Sequence, residues 1–252
     1  MTWQPVDCHC HSTHSDGSLS VPEVVERATV LGAQPSITDH ISRDAPTTLR
    51  SEAAVAAYLD ELERHPVLRG GEFCWHDAIW RELPASLVRR FTHRVGSLHS
   101  IRLPDGSFVR AFSARLDPAL TARAYMEAHV TSLEALAAEM PVDILAHPTL
   151  VPPPLRQLPA DELWTEALEA RTAEALAVSG IAFEISSRYP PHERLVKRVV
   201  GAGVRLSLGS DGHSPTQVAD VAAPLAMARS LGVQDDQLYD PRAHGSRTGA
   251  FA

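Results

Sequence analysis

The sequence predicts an α/β fold, with seven strand and helix alternations and a mostly parallel sheet gathered into one barrel-like domain. Three observations lead there. Short apolar runs alternate with amphipathic helical stretches from Pro5 to Leu231. A chain of 252 residues suits a single α/β barrel and does not require a second domain. Metal-capable side chains recur where the apolar runs stop, and catalytic groups of parallel barrels gather at that end of the strands.

The elements follow in order. "PVDCHC" reads as the first strand. Ser20, with Glu23 three residues on, forms a capping box for the helix "VPEVVERATVLG", and Gly32 supplies its stop. "PSITDH" is the second strand, and a helix near Ser51 to Arg64 leads to the strands "PVLRGGEF" and "HRVGSLHS". A long helix from about Pro118 to Glu139 precedes the fifth strand, "VDILAH". After the proline-rich turn "PTLVPPPLRQLP" come a helix from about Ala160 to Val178, the strand "IAFEIS", a helix near Pro191 to Val200, the strand "VRLSLGSD" and a last helix to Leu231. The barrel domain is expected over 1–232. Residues 233–252 lack periodicity and are expected to form an irregular, loosely held end.

Composition narrows the function classes. Apolar residues at 44% and charged residues at 21% are ordinary for a globular protein with a sizeable core. No apolar run approaches the roughly eighteen residues of a membrane span, and "MTWQPVD" has neither the basic start nor the apolar run of a signal peptide. A cytoplasmic location is the expectation. Three cysteines, Cys8, Cys10 and Cys74, cannot build a disulfide framework. A formal charge of −8 argues against a broad basic face for duplex nucleic acid. Small anionic substrates stay open if bound metals reverse the sign locally.

The first motif, "DCHCHSTHSDG", is the densest. His9 and His11 sit at i and i+2 of a strand, on one face, where two imidazoles chelate a single ion. Cys8 and Cys10 face the other way, as small buried hydrophobes. Asp16 lies in the loop that follows, His40, Glu72, His99 and His147 end the next four strands, and Asp211 with His213 follow the last. Any one of these residues taken alone reads as a satisfied polar side chain. Together, six histidines and three carboxylates suit zinc, manganese or iron(II), with no call for thiolate.

The motifs "DCHCHSTHSDG", "ITDH", "GGE", "GSLHS", "DILAHP" and "LGSDGH" occur in an order that resembles the PHP (polymerase and histidinol phosphatase) metal-dependent phosphoesterases over nearly the whole chain. That resemblance implies a distorted, seven-stranded TIM-like barrel, the PHP fold, holding three divalent metal ions. It implies that His9, His11, Glu72 and Asp211 form the catalytic set around a first metal, that Glu72 bridges to a second completed by His99 and His147, and that Asp16, His40 and His213 hold a third. Some relatives use a histidine in the first loop, so His14 stands as the alternative to Asp16. Asp7 and Asp39 are expected to orient the ligand rings.

The implied reaction is hydrolysis of a small phosphate monoester by a metal-bridged hydroxide. "GSLHS", "AYMEAH", "EISSRYP" and "LGSDGHSPTQV" look most like the histidinol-phosphate phosphatase branch, which makes L-histidinol phosphate the leading substrate. Thr149 departs from the aspartate common in relatives, and "VPPPLRQLP" is unfamiliar among them. Arg188, and after it Arg102, are the expected phosphate clamps, because the planar guanidinium matches phosphate geometry. The alternatives are a nucleotide or oligonucleotide phosphoesterase, and a non-catalytic metal-binding module, which the complete ligand set disfavours.

Overall fold

In the computed structural model, residues 4–44 and 47–247 are described. Their order is helix α1 (Val21–Leu31), strands β1 (Ser36–Ile37) and β2 (His40–Ile41), α2 (Glu52–Leu62), β3 (Leu68–Arg69), β4 (Glu72–Cys74), and two short helices, α3 (Ile79–Glu82) and α4 (Ala85–Val88). There follow β5 (Val95–Ser97), β6 (Ser100–Arg102), β7 (Phe108–Arg110), α5 (Ala122–Glu139), β8 (Ile144–Leu145), α6 (Ala160–Leu163) and α7 (Glu166–Ser179). The chain closes with β9 (Ala182–Ser186), α8 (Glu193–Gly201), β10 (Leu206–Gly209), α9 (Ala222–Ser230) and α10 (Pro241–His244).

The main sheet is parallel, in the order β10-β9-β8-β5-β4-β2. β1 runs into β2, and β3 into β4. The pairings Ser36 to Leu68 and His40 to Glu72 keep one register across the break. The predicted first strand lies between the two edges of this sheet, but it forms isolated bridges, Val6 to Gln34 and Cys10 to Gly212, and no regular ladder. Cys8 N donates to Leu208 O on one side, and Cys10 O accepts from Thr38 N on the other. Side chains intercept the remaining ladder groups: the Asp7 carboxylate takes Ser210 N and Ala219 N, and Thr38 Oγ1 donates to Cys8 O.

Local capping holds where it was predicted. Glu23 accepts from Ser20 N at 2.7 Å, and Gly32 ends α1 at φ 69°. The helix expected from Pro118 begins at Ala122, where Thr121 caps it by accepting from Ala124 N. The helix expected over 160–178 is two helices, because Thr165 caps a fresh start by accepting from Leu168 N. The hairpin β6–β7 was not foreseen.

The segment after Gly232 is not the irregular, loosely held end that its sequence suggests. Tyr239 N donates to Leu206 O, Leu238 and Tyr239 are buried, and Ser246 and Arg247 bind the Asp143 carboxylate. Residues 248–252 lie outside the described part. Among the described residues no helix is long and apolar enough to cross a membrane.

Candidate metal centre

The nine candidate ligands meet because five of the six strands of the main sheet, all but β9, carry one or lead into one. His40 opens β2 and pairs in register with Glu72 at the start of β4. His99, His147 and Asp211 each stand two residues beyond a strand, after β5, β8 and β10. His147 and Asp211 adopt left-handed backbone, at φ 30° and 49°, which turns their side chains inward. Such conformations cost about 1–3 kcal/mol each. Hydrogen bonds from His147 N to Glu184 Oε2 at 2.5 Å and from Asp211 N to His9 O at 2.7 Å hold them.

Glu72 is the hub, fully buried, with its two oxygens facing different partners. Oε2 lies 2.6 Å from His40 Nδ1, 3.4 Å from His9 Nε2 and 3.8 Å from His11 Nε2. Oε1 lies 3.2 Å from both His99 Nε2 and His147 Nε2. Asp211 Oδ1 approaches His11 Nε2 at 3.2 Å, while Asp16 Oδ1 approaches His213 Nε2 at 3.3 Å and His40 Nε2 at 3.5 Å. Four overlapping groups can hold an ion: His11, Asp16, His40 and His213; His9, Glu72 and His147; His9, His11 and Asp211; and His40, Glu72 and His99. His40 thus reaches both Glu72 and Asp16, and His147 faces His9 across Glu72. His14 is in none of these groups, its ring lying edge-on to Tyr58 at 5.3 Å.

A cation fits on grounds internal to the fold. His9 Nε2 and His11 Nδ1 are buried and make no hydrogen bond, and Glu72 Oε2 is buried with only the close approach of His40 Nδ1; a buried group left unpaired costs about 1–3 kcal/mol. A divalent ion would satisfy all three. In the metal-free protein, burial pushes the His11 ring down to about 3, helped by the charge of His40. Burial works against charge on His9 too, but Glu184 and Glu72 outweigh it and hold the ring well above its usual range. Cys74 and Glu72 do the same for His99. Burial raises the Glu72 carboxyl, yet His40, His99 and His9 drive it well below the ordinary value.

Several supporting residues differ from expectation. The aspartates expected to orient histidine rings instead fix backbone: Asp7 binds Ser210 and Ala219, and Asp39 binds Ser12 N, Ser12 Oγ and Ser15 Oγ. The ring partner of His9 is Glu184, at 2.8 Å from Nδ1, and that of His99 is the Cys74 thiol, at 3.0 Å from Nδ1. Neither residue stands out for this task in the sequence. A charged residue inside the apolar strand "IAFEIS" was the available signal, since a buried carboxylate needs a partner. Burial pushes the Cys8 and Cys10 thiols up, which suits packing and not ligation.

Six of the candidate ligands, Asp16, His40, His99, His147, Asp211 and His213, line a cavity of about 300 Å³, whose walls include Arg110, Phe112, Arg188 and Tyr189. Arg188 Nη1 sits 3.0 Å from His213 Nδ1 and 3.8 Å from Asp211 Oδ2. Arg102 does not line it; its guanidinium lies over Trp75 at 5.7 Å. The hairpin register is the reason. Ser100 pairs with Arg110 at the mouth, while Arg102 pairs with Phe108 two residues further out.

No family model and no curated protein matches the chain. Solved structures do. A Listeria monocytogenes protein assigned as the histidinol phosphatase HisK superposes with a TM-score of 0.74 at 14% identity, covering 87% of this chain and 99% of that one. Histidinol phosphate phosphatase (HisK) from Lactococcus lactis subsp. lactis Il1403, complexed with zinc, L-histidinol and phosphate, gives 0.68 at 15% identity, covering 92% and 95%. The chain therefore has the PHP fold of the histidinol phosphatases, a mostly parallel α/β arrangement of the distorted TIM-barrel kind.

Proposed function

We propose that this chain is a metal-dependent phosphoesterase acting on a small phosphate monoester, with L-histidinol phosphate as the leading substrate. The observation that carries the reading is the convergence of six imidazoles and three carboxylates, six of these residues lining one cavity and the other three, His9, His11 and Glu72, buried with unsatisfied ligand atoms. Three ions, zinc, manganese or iron(II), suit that donor set. Divalent ions bound there lower the pKa of water toward neutrality and neutralise the non-bridging oxygens of a phosphate ester.

The chain's own residues set the geometry. Glu72 joins the two halves of the centre, Oε2 serving His9, His11 and His40, and Oε1 serving His99 and His147. Asp211 and Asp16 anchor the opposite side with His11 and His213. Arg188, at the edge of the ligand set, clamps phosphate oxygens with its planar fork. A cavity of about 300 Å³ is at the small end for ligand sites, which favours a small monoester over an oligonucleotide.

The test is phosphate release by wild-type and Arg188→Ala protein, loaded with manganese or zinc, from L-histidinol phosphate, nucleotides and short single strands. L-Histidinol phosphate should rank first. The variant should lose roughly ten- to a hundredfold in kcat/KM through a missing charge-assisted contact, at unchanged metal content. Preference for nucleotides, or a variant as active as wild type, would overturn the substrate assignment or the clamp respectively.

A further inference from the structure

A row of four rings crosses the floor of the cavity. Phe112 lies 5.6 Å from His99, His99 lies 5.2 Å from His147, and His147 lies 5.8 Å from Tyr189, centre to centre. The inner two are candidate ligands. The outer two reach the cavity wall and belong to none of the candidate ligand groups. Two guanidinium groups lie against Tyr189, Arg156 at 5.1 Å and Arg188 at 5.6 Å from its ring centre.

Phe112 is different, because the hairpin β6–β7 delivers it with 53% of its surface exposed. Single exposed apolar residues are ordinary, and Val30 and Val178 are two more, on α1 and α7. Neither of those lines this cavity. Phe112 lies beside a candidate ligand ring, tilted by 42° to it, on the wall of the cavity that the candidate ligands line.

We propose that Phe112 is a specificity-determining platform that selects phosphate esters with a planar aromatic or heteroaromatic leaving group. The proposal rests on the phosphoesterase reading. An aromatic face offers a flat group both area burial and a ring-to-ring geometry that an aliphatic group cannot use. Tyr189, fixed at the other end of the row, bounds the same space.

Binding of methylphosphonate and benzylphosphonate to the zinc-loaded protein, measured by calorimetry, tests this without turnover. Wild type should bind the benzyl compound tighter by about five- to thirtyfold. Phe112→Ala should shrink that ratio to within about twofold, Phe112→Leu should lose most of it, and Phe112→Trp should keep it. Zinc content and a melting curve establish that each variant is folded, and the leucine variant decides if the alanine variant is not. An equal ratio in wild type and the alanine or leucine variant, or no benzyl preference in wild type, overturns the platform while phosphate binding stands. Binding of neither phosphonate overturns the phosphoesterase reading and the platform with it.

Discussion

At Glu184 a single carboxylate fixes two candidate ligands, His9 through its ring and His147 through its backbone. Gly209 makes room for it, since a Cβ there would fall 2.0 Å from Glu184 Oε1. Glu184→Gln should keep the shape but weaken metal affinity by about 10- to 100-fold, as loss of such orienting partners does. A competition titration against a chromophoric chelator measures it. Protons compete at the same atoms. His9, His40 and His99 have raised pKa values in the metal-free fold, so they stabilise it below the unfolded value of about 6.5 and that contribution is lost as pH rises through their folded values. The chelator-treated protein should therefore melt at lower temperature as pH rises above about 6.5, and added zinc should reverse the loss and release protons. A melting temperature that climbs with pH above about 6.5 in the metal-free protein would contradict that account.

Among the elements, the hairpin and the C-terminal segment decide what the sequence conveyed. Residues whose chemistry is tied to strand ends were legible, because an imidazole or carboxylate after an apolar run has few structural uses. Arg102 does not act as the expected clamp, because it stands only three residues after His99 in sequence but away from the cavity in space. "LPDGSFVR" held the correction, since Asp105-Gly106 between alternating residues is a turn signal and Gly106 indeed adopts φ 87°. The split between α6 and α7 depends on Thr165, a capping residue inside a helical pattern, which periodicity alone passes over. The chain end carries no periodicity because its contacts are single residues meeting the barrel. Tyr239 packs in the cluster of Cys8, Val95, Ile144 and Ala182, and its hydroxyl donates to Gly245 O at 2.9 Å. Tyr239→Ala should lower unfolding stability by about 3–5 kcal/mol, read by urea denaturation, with metal content unchanged.

Over the whole molecule, a net charge of −8 and an anionic substrate are compatible only if cations dominate the mouth. The fold supplies the means, bringing the ends of the first segment, β2, β4, β5, β8 and β10 to one side, where all nine candidate ligands meet. The sequence conveyed which residues meet there. How they group did not follow from spacing, because His40 and Glu72 each serve more than one group and their sharing depends on side-chain directions. The reading proposed for this cluster is that of a metal-dependent phosphoesterase. Its most direct test is phosphate release from L-histidinol phosphate and an aryl phosphate by chelator-stripped protein titrated with zinc or manganese. Activity absent at zero metal and rising to a plateau near three equivalents per chain is the predicted result. Metal-independent hydrolysis, or none from either ester at any loading, would contradict it.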